Sequence, residues 1–423
     1  MEILNLLSLL IVIAAAFSYI NVRFLKLPDS IGIMMVSVVF SVLLLFINMF
    51  RPEWFMVVKQ TVQQLDFYAI LFNVMLSFLL FAGAYHTDAA KLRIERRSVI
   101  LFSLVGVTIS TFLVGTGLYY VAGWVGYSLG YPLCLLFGAL ISPTDPIAVL
   151  GILAKFQLPE SVKLNIVGES LFNDGVGVVV FATIYQIVLN GVDSITPGEI
   201  VWLFLQEAVG GLFLGVVIGF IMYRLMRSVD HYQVEVLITL AGVMGGYALA
   251  HYLHVSGPLA MVVAGLFVGA PSRQDAMSAI TEEYVHKFWE LIDVILNAVL
   301  FVLIGVELLI IDLEPTYTLI CLLAIGIVLF SRYVSIIIPY RLTRKWLTLD
   351  DKAPLMLTWG GLRGGISIAL ALSIDSSVPY KDLIVTITYA VVLASVMGQG
   401  LTMERLIRRL YPPDQTREAE GIR

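Results

Sequence analysis

Charged side chains are scarce in this chain: 26 Lys and Arg and 31 Asp and Glu among 423 residues, 13% of the whole. So few cannot clothe the surface of a soluble protein of this length, which excludes a water-facing globular fold. Cysteine is scarcer still. Cys134 and Cys321 lie in separate apolar stretches without metal-ligand spacing, so they read as small buried side chains and not as redox or metal chemistry. The five histidines form no His-Glu-x-x-His pattern and no Ser-His dyad, and no protease-type aspartate pair is present. An intramembrane protease is thereby excluded, and no enzyme activity or cofactor is expected. Low-complexity segments, short repeats and any loop long enough for a second domain are also missing. The first apolar run lacks a basic leader and continues into the next span, so it reads as a first helix and not as a cleavable signal. The net charge of -5 carries little information about partners, and no nucleic-acid partner is expected.

What the chain does have is apolar length. Apolar residues make up 59% of it, and the mean hydropathy is +0.92. A spanning helix needs about 20 apolar residues. Thirteen candidate spans follow, near 3–20, 30–49, 66–87, 98–121, 132–154, 161–189, 198–223, 234–253, 257–271, 286–310, 316–338, 354–374 and 381–403. The predicted fold is therefore an all-α polytopic membrane protein. With the N-terminus outside, 21 of the 26 basic residues fall on the inside, three (Arg51, Lys59 and Lys381) fall outside, and Arg332 and Arg363 lie within spans. That asymmetry follows the positive-inside rule and predicts an N-terminus outside and a C-terminus in the cytoplasm. The membrane domain is expected to occupy 1–411, with a core of 98–190 and 316–403, dimerisation and scaffold helices elsewhere, and a short tail over 412–423.

The sixth span carries the most unusual stretch, Gly168-Glu169-Ser170-Leu171-Phe172-Asn173-Asp174-Gly175. Ionisable groups at bilayer depth cost several kcal/mol unless paired or wetted, so such a cluster reads as an ion or proton site. Two other spans are interrupted internally. The fifth contains Ser142-Pro143-Thr144-Asp145-Pro146, and the twelfth contains Gly360-Gly361-Leu362-Arg363-Gly364-Gly365. Proline removes a backbone donor and paired glycines relax a helix, so each span is expected to split into half-helices. Unwound backbone survives in a membrane only where it lines a cavity or is buried in protein. The two interrupted spans are seven apart and cross in opposite directions, which predicts the inverted-topology repeats of a secondary transporter.

Depth arithmetic at ~1.5 Å per residue brings these features together. Asp174 and Asp145 each lie roughly 20 Å from a helix end, near the middle of a ~30 Å core. Glu169 and Arg363 lie at matching depths, roughly 12 and 14 Å from the cytoplasmic side, where they could pair. Ser170 and Asp174 share one helix face, and Glu169 and Asn173 share another. The donors on offer are all oxygens, which suits a hard cation, and no His or Cys joins them to suggest a transition metal.

These four motifs, Pro143-Thr144-Asp145-Pro146, Gly168 to Gly175, Leu303-Ile304-Gly305-Val306 and Trp359-Gly360-Gly361-Leu362-Arg363-Gly364, fall in order on separate spans. In this the chain resembles the sodium/proton exchanger branch of the monovalent cation/proton antiporters, of the bacterial or archaeal NhaP-like type. The resemblance implies that Asp174 carries either cation or proton. Asp145, Ser170 and Thr144 would help hold Na+ (or K+ or Li+), and Asn173 would be an invariant partner replaced by a second Asp in the charge-moving branch. One carrier carboxylate implies electroneutral one-for-one exchange. The resemblance further implies a structural ion pair between Glu169 and Arg363, a homodimer, and a place in the cell membrane serving sodium and pH homeostasis.

The residues sustain the chemistry without the family. Burial raises an aspartate pKa and nearby positive charge lowers it, so Asp174 can be tuned to where protons compete with a cation. If only an occupied site can cross between inward-open and outward-open states, exchange follows from that competition. One departure touches the cation's identity: many relatives carry an acidic residue where Phe81 stands before Ala82-Gly83, and Asn73 and Ser77 could compensate. Other polar residues are expected to be structural or surface groups. Glu207 packs in its helix, Arg332 snorkels towards the cytoplasmic side, His251 and His254 lie at the surface, and Glu235 and Glu307 reach headgroup water. The remaining alternatives are a K+/H+ antiporter on the same site, a symporter on the same scaffold, and a channel. Channels usually build filters from repeated loops or rings of charge, which fits less well. The Asn-Asp pair disfavours an organic-anion symporter, because carboxylates repel an anion.

Overall fold

In hydrocarbon every backbone N–H and C=O must find a partner within its own segment, so long apolar runs have little choice but to form helices. The computed structural model describes residues 3–63, 67–145, 147–153, 156, 158–191, 196–269, 278–311 and 314–412. The described chain is almost wholly helical: α1 (Ile3–Ile20), α2 (Asp29–Asn48), α3 (Pro52–Gln63), α4 (Phe67–Tyr85), α5 (Ala89–Ile94), α6 (Arg96–Val125), α7 (Tyr131–Ile141), α8 (Ile147–Leu153), α9 (Glu160–Asn190), α10 (Pro197–Met226), α11 (Tyr232–Tyr252), α12 (Gly257–Gly269), α13 (Ala279–Glu307), α14 (Thr318–Thr343), α15 (Ala353–Gly360), α16 (Gly365–Leu372) and α17 (Lys381–Leu410). Ten described helices are long and apolar enough to cross a membrane, and α7 and α12 are shorter apolar helices. The protein is a multi-pass, all-α membrane protein. Pro146, Lys155, Arg273 and the tail from 413 onwards lie outside the described residues.

Local chemistry sets the ends. Thr196 and Glu199 close a reciprocal capping box at the start of α10, and Gly126, at φ 104°, ends α6 in the left-handed conformation that glycine tolerates. Some features were not legible in hydropathy. The helix α3 is amphipathic, with only one apolar side, α13 begins ahead of its apolar stretch, and α17 runs on through the polar Leu401–Leu410 segment. Wider π-type turns interrupt α4 at Leu71–Met75, α6 at Leu101–Gly106 and α17 at Ala394–Gly400.

Two packed groups of helices meet along one seam. In the first, α2 packs on α13, α4 on α12, and α12 on α10. In the second, α6 packs on both α7 and α14, and α7 packs on α9. Across the seam α9 meets α12 and α10, and α16 meets α4 and α13.

Within the second group, two helices are broken as their sequences require. The first stops at Ile141 and resumes at Ile147, because Pro143 cannot donate to the preceding turn. The second stops at Gly360, passes through extended backbone at Gly364 (φ -130°, ψ -161°) and resumes at Gly365. The breaks cross each other, and the Asp145 N–H donates to the Leu362 carbonyl at 2.7 Å in an isolated antiparallel bridge. Among the described residues there is no strand. The close approach explains two glycines: a Cβ at Gly364 would sit 2.5 Å from Asp145 Oδ2, and one at Gly361 would sit 2.5 Å from Arg332 Nε.

A broken helix leaves carbonyls unpaired at its first half's C-terminus, and an arginine meets each such end. Arg363 donates through Nη1 to the carbonyls of Ser142 and Pro143, the latter at 3.0 Å. Arg332 donates through Nη2 to the Leu357 carbonyl at 3.1 Å. Cations at helix C-termini are also favoured by the helix dipole. The same Arg332 holds Glu169 in a two-pronged pair, Nη1 to Oε1 and Nη2 to Oε2, the second at 2.9 Å.

The expected Glu169–Arg363 pair is therefore corrected to Glu169–Arg332. Depth along a straight helix says nothing of azimuth, and the Arg363 guanidinium is committed to the carbonyls of the other break. Arg332 does not snorkel: it is 5% exposed and Glu169 is 1% exposed. Removing one partner of such a buried pair strands the other's charge, at a cost of about 3–5 kcal/mol. Arg332→Met is expected to lower the melting temperature in detergent sharply. Glu169→Gln combined with Arg332→Met should recover most of the loss, whereas Glu169→Gln combined with Arg363→Met should not. Equal recovery in both double variants would contradict the assignment.

Candidate ion-binding site

The crossing of the two breaks presents Thr144 and Asp145 towards the polar stretch of α9, where three side chains form a closed chain of hydrogen bonds. The Thr144 N–H donates to Asn173 Oδ1 at 3.2 Å, and Asn173 Nδ2 donates back to Thr144 Oγ1 at 2.7 Å. Thr144 Oγ1 and Ser170 Oγ lie 3.0 Å apart and share a proton in one direction or the other. Thr144, Ser170 and Asn173 are all buried. Asn173 thus spends both ends of its amide on one threonine, which fixes the unwound residue against an intact helix.

Asp145 and Asp174 face the same cavity, of about 270 Å³, in front of this chain. The wall is completed by Leu76 and Leu80 of α4, Leu171 of α9, Leu300 of α13 and the Gly364-Gly365 start of α16. Asp174 is buried and Asp145 half-buried, and their charges are close enough to interact. Apart from Asp293 and Ser367 the rest of the lining is apolar, so two carboxylates with the Thr144 and Ser170 hydroxyls behind them form an oxygen-rich point in a poorly solvated space. That arrangement can take a desolvated hard cation or a proton.

The structure brings together Thr144, Asp145, Ser170, Asn173 and Asp174. It leaves Glu169 and Arg363 one layer back, bracing the breaks. Phe81 is fully buried, with its ring 4.6 Å from that of Trp289 on α13. Asn73 and Ser77 do not supply the cavity of Asp174; they line a second cavity of about 640 Å³. Glu207, His251 and His254 line that second cavity as well, with both histidines exposed. Glu235 and Glu307 are buried at 0% and 6% exposure and do not reach headgroup water as expected.

One carboxylate escaped the sequence reading. Asp293 sits at the middle of α13 and lines the Asp145–Asp174 cavity from the opposite helix group. Its signal was present, an acidic residue halfway along an apolar span, but no neighbouring motif drew attention to it.

The sequence model of the family described as sodium/hydrogen exchanger, transmembrane, matches residues 10–409. The chain is 44% identical over 423 residues to a protein named Na(+)/H(+) antiporter NhaP from Pseudomonas aeruginosa, covering 99% of each. It is 33% identical over 407 residues to a protein named Na(+)/H(+) antiporter NhaH from Halobacillus dabanensis, covering 95% of this chain and 97% of that one. Its fold superposes on the sodium proton antiporter MjNhaP1 of Methanocaldococcus jannaschii with a TM-score of 0.76 at 20% identity, over 97% of this chain and 99% of the other. A match spanning nearly every helix, together with polar residues gathered at two crossed breaks, places the chain in the sodium/hydrogen exchanger family.

Proposed function

We propose that this protein is a secondary transporter, not an enzyme, that exchanges Na+ for H+ across the cell membrane, with the two competing for Asp174. The observation that carries the reading is the cavity in which Asp174 and Asp145 converge at the crossing of the broken helices. Support comes also from the relative named Na(+)/H(+) antiporter, identical at 44% of positions over the full length.

In this reading Asp174, Asp145, Ser170 and Thr144 supply the oxygens that replace the shell of a partly dehydrated cation. When a proton neutralises Asp174, the attraction for the cation falls, and when the cation is bound the proton is excluded. One carrier carboxylate exchanging one charge for another gives electroneutral, one-for-one transport.

Two cavities on one seam support alternating access. The Asp174 cavity and the second cavity are lined by different residues of the same segment of α4 (Leu71 and Leu80 for the first, Phe72 and Ser77 for the second) and by successive stretches of α9 (Leu171 and Asp174, then Val178 and Phe181). Movement of one helix group along the seam would open the site to one side and then the other. The basic residues of the loops support an N-terminus outside and a C-terminus in the cytoplasm. We take 98–190 and 316–403 as the moving core, and the remaining helices as a scaffold through which the protein forms a homodimer.

In liposomes with an inside-acid gradient, external Na+ or Li+ is expected to collapse the gradient with wild-type protein, and choline is not. Asp174→Asn should reduce the rate to that of empty liposomes, and clamping the membrane potential should leave the wild-type rate unchanged. Full activity in Asp174→Asn would sink the site assignment, and a rate that follows the potential would sink electroneutrality. For Asn173→Ala, losing both bonds to Thr144 should raise the half-saturating sodium concentration about thirtyfold, since each buried bond contributes about 1 kcal/mol. An unchanged half-saturation would show that the Thr144 position does not matter to the cation.

A further inference from the structure

We infer that Asp293 is a third, cation-attracting carboxylate of the transport cavity, set on α13 across from Asp145 and Asp174, which raises the apparent affinity for the transported cation without being its carrier. The inference rests on the exchange reading above and adds to it a residue from the opposite helix group.

The placement has a physical cause. Trp289, Asp293 and Asn297 are spaced four apart and share one face of α13. Trp289 is fully buried, its ring against Phe81 and its Nε1 donating to Thr239 Oγ1 at 3.1 Å. That anchor fixes the azimuth of the helix, so Asp293, one turn on, points into the cavity that holds Asp145 and Asp174. One turn further, Asn297 is 6% exposed, and among the described residues neither end of its amide has a hydrogen-bond partner. Asp293 is half-buried, and it is close enough to Asp145 for their charges to interact. No lysine, arginine or histidine lines this cavity among the described residues.

A carboxylate exposed to a poorly solvated cavity without a countercharge is costly unless a proton or a cation visits it. Three carboxylates around one small cavity repel one another, and a monovalent cation entering between them relieves that repulsion. Because Asp293 comes from the opposite helix group and takes no part in the Thr144–Ser170–Asn173 network, its attraction acts over distance, with no coordination required. Removing it should therefore weaken cation capture more than it slows the loaded step.

The test measures exchange in proteoliposomes over a range of sodium concentrations for wild type, Asp293→Asn, Asp293→Glu and Asp293→Ser, with folding checked by monodispersity in detergent. The expected result for Asp293→Asn and Asp293→Ser is a half-saturating sodium concentration about tenfold above wild type, the scale of losing one unit charge at short range in a poorly screened space. The maximal rate should fall by no more than about twofold, and Asp293→Glu should return half-saturation to within about twofold of wild type. Wild-type half-saturation in the neutral variants would overturn the inference, as would equal impairment in Asp293→Glu, which would mark a packing role. Should Asp293→Asn not fold, Asp293→Ser carries the same comparison. Failure of this inference is distinct from failure of the exchange reading, which would show instead as activity surviving in Asp174→Asn.

Discussion

The structure depends on one constraint: backbone that leaves a helix inside a membrane must still have its polar groups satisfied. Two helices of this protein break at the same place, and the breaks satisfy one another. The Asp145 N–H takes the Leu362 carbonyl, Arg363 of the second break takes the carbonyls of the first, and Arg332 takes the Leu357 carbonyl at the end of the second. Arg332 brings a charge that must itself be balanced, and Glu169 of α9 balances it. The ion site is built on this brace. Thr144 and Asp145 can be offered to a cation because the chain on either side of them is held.

The charges divide into two layers with different duties. Glu169, Arg332 and Arg363 are buried and committed to fixed partners, so they hold geometry. Asp145, Asp174 and Asp293 line one cavity, so their charge faces whatever enters it. A fixed pair next to a variable one is what an exchanger needs, because a site able to release its ligand must not collapse on releasing it. The Asn173 clamp on Thr144 serves the same end, keeping a hydroxyl in place whether or not a cation is near.

Much of this was legible in the sequence because membranes make polar residues conspicuous. Asp174 and its neighbours stand out in an apolar run, Pro143 and the paired glycines announce the breaks, and midplane depth follows from counting residues. What the sequence could not give was azimuth and handedness of contact. Glu169 and Arg363 lie at matching depths yet face different neighbours, while Arg332, on a span without any motif, reaches Glu169 from the side. Asp293 was passed over for the same reason: its meaning comes from the helix that faces it and not from the residues beside it in the chain. Phe81 is a related case, a position where the sequence shows only a missing carboxylate and the structure shows an aromatic anchor against Trp289. Glu235 and Glu307 lie near helix ends but are buried, a matter of what packs around them and not of their place along the helix.

The central claim is that cation and proton exclude one another at a single carboxylate. It is tested most directly by measuring the half-saturating sodium concentration of the wild-type protein in proteoliposomes across a range of pH, with the gradient held constant. Competition at one site predicts that, on the acid side, half-saturation rises about tenfold for each unit fall in pH while the maximal rate at saturating sodium stays the same. A half-saturation independent of pH, with only the maximal rate changing, would mean that proton and cation occupy separate sites and would contradict the account.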